Sequence, residues 1–153
     1  MTKNYFFVDE SGDPTFFNKK GELIVGNEGC SLVFIIGFIS TKYPSLIRKK
    51  LNFLHDEIEN DDYLKCIPSI KKTNIHFHAK DDCPEVREKV FKLIKDLDFK
   101  SQLIVARKRL DVFNKRHKRN ENIFYSEMIS RLFEKSLHKT ENMIYFSKRG
   151  TKN

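Results

Sequence analysis

Apolar residues along this chain fall into two rhythms, alternating or continuous short runs and stripes at helical spacing, and the rhythms predict the elements. Residues 5–8, Y-F-F-V, form a short aromatic and β-branched run that reads as a buried strand. The run meets D-E-S-G-D-P at 9–14, which is turn chemistry. Gly21, Gly26 and Gly29 punctuate short apolar pieces over 15–31, a pattern expected of a hairpin excursion. Residues 31–40, S-L-V-F-I-I-G-F-I-S, are continuously apolar, so a strand buried on both faces is expected, with Gly37 at a bulge or a close backbone approach. Ile47, Leu51, Leu54 and Ile58 make one helical stripe over 44–60, and residues 61–74 are a polar connection. N-I-H-F-H at 74–78 alternates and predicts a short strand. Asp82-Cys83-Pro84 opens a helix whose stripe is Val86, Val90, Leu93, Ile94 and Leu97. A strand at 101–106, a helix at 121–138 and a strand at 142–147 follow. The order predicts one α/β domain over 1–153, a mixed sheet with helices packed on it. The last strand is followed only by K-R-G-T-K-N, so an element that would cover the sheet is expected to be missing.

Composition narrows the class. Aromatics are 12% of 153 residues, with six Gly and four Pro, which excludes collagen-like, low-complexity and largely disordered chains. The longest apolar run, 32–39, is far short of the roughly 20 residues of a membrane span, and the N-terminus does not read as a secretory signal. Three widely spaced cysteines, Cys30, Cys66 and Cys83, fit neither a disulfide framework nor a zinc site, so a reduced, cytoplasmic protein is expected with the cysteines as packing residues. Charge adds more. The formal net charge is +8, yet residues 1–40 carry three basic and five acidic side chains. The densest basic run, 107–119, holds seven Lys and Arg against one Asp. An acidic first element beside a basic body suits a polyanion; a solvated basic surface accounts for the charge equally well.

Asp9 and Glu10 close the first strand. Successive strand residues face opposite sides, so the two carboxylates converge only if the strand breaks there, as Gly12 and Pro14 suggest. Carboxylates at a strand end can hold Mg²⁺ or Mn²⁺, hard ions that keep waters and bridge to substrate phosphates. The alternative is an Asx-turn in which Asp9 or Asp13 caps backbone N–H groups. His76 and His78 would share a face of the short strand, as a metal or general-base pair or as packing and surface residues. Lys108 and Arg109 follow a core strand, and Lys115, Arg116, Lys118 and Arg119 cluster beyond them; these are candidate phosphate contacts or plain surface. Arg149-Gly150 could form an anion-binding turn. Tyr125 reads as core, and His55, His117 and His138 as surface. No phosphate-binding loop, dinucleotide fingerprint, nucleophile elbow or zinc motif is present.

Y-F-F-V-D-E-S-G-D at 5–13 resembles the opening of the bacterial family called domain of unknown function 3800, whose members begin with a strand ending in D-E-S-G. The apolar strand at 32–39, I-H-F-H-A at 75–79, the strand leading to Arg107-Lys108, the helix with Tyr125 and the strand plus Arg-Gly at 144–150 agree in order. The resemblance implies a ribonuclease H-like fold, a five-stranded mixed sheet flanked by helices, with acids at the first strand and later elements binding two divalent metals. It further implies Asp9 and Glu10 as metal ligands, with His76 near the site. Two departures stand out. The family's closing helix with Q-x-x-D has no counterpart, since the single Gln is Gln102, and the last strand ends in Phe146-Ser147-Lys148 where related enzymes often carry an acid. The expectation is a C-terminally truncated, metal-dependent nuclease acting on DNA or RNA, or an inactive module of the same fold that binds nucleic acid or protein. In either case self-association or a partner protein would supply the missing element.

Overall fold

The structure, a computed structural model, describes residues 3–137 and 141–147. The protein is α/β, and its chain divides into two compact units, one joining the chain up to Lys42 with that from Phe99 onward, the other comprising Tyr43–Asp98.

The first unit is built on a four-stranded mixed sheet of β1 (Asn4–Ser11), β2 (Val33–Thr41), β3 (Lys100–Arg107) and β4 (Asn142–Phe146), in the order β3-β2-β1-β4. β1 pairs antiparallel with β2 and parallel with β4, and β2 pairs antiparallel with β3. Phe6, Val8, Phe34, Ile36 and Phe38 point from β1 and β2 into the core. There they meet Phe124, Met128, Leu132 and Phe133 of α5 (Glu121–Phe133). The four α5 residues recur at spacings of four, four and one, the stripe that helical periodicity requires. Asn120 starts the helix: its Oδ1 accepts from the N–H groups of Asn122 and Ile123, at 2.9 and 3.2 Å. Gly37 marks a close approach rather than a bulge, because the register runs through it unbroken. A Cβ there would sit 2.2 Å from the Leu103 side chain and 2.9 Å from the Gln102 carbonyl oxygen.

Residues 12–32 form no regular hairpin; one isolated bridge, Phe17 to Leu23, stands in its place. This excursion is anchored by burial. Phe16 is 1% exposed and stacks on Phe113 of α4 (Leu110–Arg116), with ring centroids 3.8 Å apart. Its N–H donates to Glu121 Oε1 at 3.0 Å. α4 lies inside what the sequence presents as a basic surface run. Phe113 within α4 and His117 at its C-terminal end are buried at the helical spacing of four that the surrounding charges mask.

His117 is a correction to the expectation of a surface histidine: it is buried, its Nε2 lies 3.0 Å from Glu127 Oε2, and its ring packs edge-on to Phe124. Burial acts to raise the Glu127 carboxyl, but the His117 hydrogen bond and the Arg116 and Arg131 guanidiniums outweigh it and hold Glu127 below the usual glutamate range. A carboxyl lowered by folding stabilises the fold above its ordinary value near 4.5, and that contribution disappears as pH falls through the folded value. Glu127→Gln is therefore expected to cost about 1–3 kcal/mol at neutral pH. In urea unfolding the gap between wild type and variant should narrow below about pH 4. An equal gap at neutral and acid pH would show that the carboxylate charge contributes nothing.

The second unit packs α1 (Pro44–Glu59), a 3-10 turn at Leu64–Cys66, α2 (Ile70–Thr73) and α3 (Pro84–Lys95) around Leu54, Ile58, Leu64, Ile70 and Val86. The strand expected at 74–78 does not form; the segment follows α2 without a ladder partner, and Ile75 is exposed. Alternation alone cannot make a strand with no neighbour to pair with. Buried Asp82 fixes this stretch, accepting from the Thr73 hydroxyl and the His78 N–H, both at 2.7 Å. Among the described residues no helix is long and apolar enough to cross a membrane.

Candidate functional site

β1 is central in the sheet, and Asp9 sits near its C-terminal end. The ladder continues past Glu10 to Ser11, so the break expected at the acid pair falls two residues later, at Gly12. Asp9 therefore lies on the face of Phe7 and Gly37, and Glu10 on the opposite face with Val8 and Ile36. The Asx-turn belongs to Asp13, whose Oδ1 accepts from Thr15 N–H at 2.7 Å. Asp9 instead accepts from the Ser147 hydroxyl at 2.7 Å. The parallel pairing of β4 brings Ser147 there, and Ser147 N–H donates to the Val8 carbonyl at 3.0 Å. This serine occupies the place where the family resemblance expects an acid. Sequence reading missed it because the register of two strands far apart in the chain decides which residue stands beside Asp9.

Asp9 borders an open groove of about 580 Å³ on the sheet face away from α5, lined by Phe7, Gly37, Ile39, Leu103, Tyr145 and Ser147 among others. Phe7 and Tyr145 stack there at 5.3 Å. Gly37 brings no side chain of its own beside Asp9, and the Leu103 side chain lies over the position a Cβ would take there.

The basic residues separate by environment. Lys108 is a correction: it is buried, and its ammonium donates to the Asp13 and Thr15 carbonyls, at 3.0 and 3.1 Å, and to the Cys30 sulfur at 3.2 Å. Three donors with three protein partners leave none for a phosphate. Arg109 is exposed and forks onto Asp111, whose carboxyl that hydrogen bond holds below the usual range. Arg116 pairs with Glu127 at 2.7 Å, and Arg119 lies over the Phe17 ring at 4.7 Å. Lys118 and Arg119 both have positive φ, 51° and 57°, in the tight turn between α4 and α5. Lys115 and Lys118 are exposed and have no carboxylate partner among the described residues. Arg149 lies outside the described residues.

His76 belongs to the second unit and is exposed on the segment after α2, its ring 6.0 Å from that of His78. Asp9 and Glu10 belong to the first unit. Among the described residues the one group of three converging donor side chains is His55, Asp56 and Glu59 on α1, with His55 Nε2 already 3.2 Å from the Thr73 carbonyl. Tyr125 packs against the core, as expected, its ring 6.0 Å from Phe34. Comparison of the chain with known protein families, curated proteins and solved structures finds no match.

Proposed function

We propose that the first unit is ribonuclease H-like and that the protein is a divalent-metal-dependent phosphodiesterase acting on nucleic acid. One observation carries this reading: an exposed carboxylate, Asp9, near the end of a central strand, over an open groove, with one oxygen steered by the Ser147 hydroxyl. Asp9 fits Mg²⁺ or Mn²⁺, which bind through one or two carboxylates with water and substrate phosphate completing the shell. Such an ion, when bound, activates water and stabilises the leaving oxygen of a phosphodiester. Ser147 holds the Asp9 carboxylate in one orientation, and Glu10, whose side chain is on the opposite face of the sheet, takes no part in the site. Arg109, Lys115 and Lys118 would meet the phosphate backbone as charges without base readout. The reading gives no role to His76 or Lys108. The four-stranded mixed sheet and the D-E-S-G opening support it. The test is cleavage of single- and double-stranded DNA and RNA by the purified chain with Mn²⁺ and with chelator. Metal-dependent cleavage of any of the four supports the proposal, and none by folded protein overturns it.

A second reading, a non-catalytic module of the same kind, is favoured by Ser147 standing where an acid is expected and by the opposite faces of Asp9 and Glu10. Exposed Leu103 and Val105 on the open face would suit a partner protein or a second copy. One prediction holds for either reading in which the chain binds nucleic acid. Lys115→Gln and Lys118→Gln should each reduce the salt dependence of duplex binding, by about 0.9 in the slope of log K against log salt. An unaltered slope would move the phosphate contacts off this turn.

A further inference from the structure

We propose that Cys30 and Lys108 are a redox modification site, at which a hydroperoxide oxidises the thiol and the lysine amine captures the sulfur as a covalent S–N bond. The two groups stand 3.2 Å apart, and both residues are buried, at 6% and 5% exposure. Two further hydrogen bonds, to the Asp13 and Thr15 carbonyls, fix the nitrogen where it faces the sulfur. The thiol donates to the Thr15 carbonyl at 3.5 Å, the same oxygen that accepts from the lysine nitrogen, so sulfur and nitrogen are held against one backbone group. Access comes from an open cavity of about 730 Å³ that Cys30 lines together with Gly12, Asp13, Gly26, Asn27 and Gly29. Three glycines in that wall leave room for a small oxidant.

The chemistry balances in two steps. The thiol attacks a peroxide oxygen: the O–O bond breaks, an S–O bond forms, sulfur gives up two electrons, and water (or the alcohol of an organic hydroperoxide) departs. The lysine nitrogen, having lost one proton to solvent, attacks the sulfenic sulfur; the S–N bond forms, the S–O bond breaks, and hydroxide leaves with a second nitrogen proton as water. Two equivalents of a thiol reductant reverse it, restoring thiol and amine and becoming a disulfide. The product is uncharged, replacing an ammonium that the fold surrounds with two carbonyls and a sulfur. It staples the 12–32 excursion to the residue after β3.

The test treats the full chain, carrying Cys66→Ser and Cys83→Ser so that the exposed and half-buried thiols do not report, with hydrogen peroxide. Tryptic mass spectrometry should find the Cys30 peptide joined to the Lys108 peptide, lighter than their sum by two hydrogens. Cleavage after Lys108 should be lost, and dithiothreitol should reverse both changes. The same treatment in urea should give no joined peptide, since the proximity belongs to the fold. Lys108→Arg should divert Cys30 to sulfinic acid; should that variant not fold, the digest of the parent chain decides alone. Cys30 recovered unmodified or as sulfinic acid, with Lys108 still cleaved, overturns the proposal.

Discussion

Phe113→Ala is expected to remove about 3–5 kcal/mol of unfolding free energy, a large part of the roughly 5–15 kcal/mol typical of a domain. Phe113 is fully buried at the crossing of three segments. It stacks on Phe16 at 3.8 Å, meets Phe17 at 6.2 Å and Phe124 at 6.5 Å, and lies 6.1 Å from the His117 ring. Truncation would empty the contact that binds the excursion to α4 and α5, and a flat aromatic pair collapses poorly onto a methyl group. Urea denaturation of wild type and variant measures the loss, and limited proteolysis should show the excursion cut first. A loss below about 1 kcal/mol would mean that the excursion is held by its polar anchors at Lys108 and Glu121 rather than by aromatic packing.

Asp9→Asn is expected to abolish metal-dependent cleavage while leaving nucleic-acid binding intact or tighter. The amide keeps a carbonyl oxygen able to accept from Ser147, so the local fold is preserved, but the charge that attracts the ion is gone. Removing a negative charge also removes repulsion from the phosphate backbone. Cleavage unchanged in Asp9→Asn would place the metal elsewhere and end the assignment of this carboxylate.

The elements whose pattern is unambiguous were legible in the sequence. The apolar run at 31–40 became β2, and the stripe from Ile47 to Ile58 became α1 with Leu54 and Ile58 as its buried pair. The misreadings share a physical origin. Charge and polarity usually mark solvent, so Lys108 and His117 read as surface, yet both are buried: the Lys108 ammonium meets the Asp13 and Thr15 carbonyls far off in sequence, and His117 Nε2 meets Glu127. Helix α4 is hidden because five of its neighbours in the 107–119 run carry charge and its apolar residues are only three, Leu110, Val112 and Phe113. N-I-H-F-H alternates like a strand, but a strand exists only where a partner offers hydrogen bonds. The site shows the same division. Asp9 at the end of β1 was evident from D-E-S-G, whereas Ser147 became visible only once β4 was seen to pair in parallel beside it.

Calorimetric titration of Mn²⁺ into the full chain and its Asp9→Asn and Glu10→Gln variants, at moderate salt, tests the central claim most directly. The account predicts saturable binding to the wild type, its loss in Asp9→Asn, and its retention in Glu10→Gln, because strand alternation puts the Glu10 side chain on the face opposite Asp9. Absence of binding to folded wild type, or binding that survives Asp9→Asn, would contradict it.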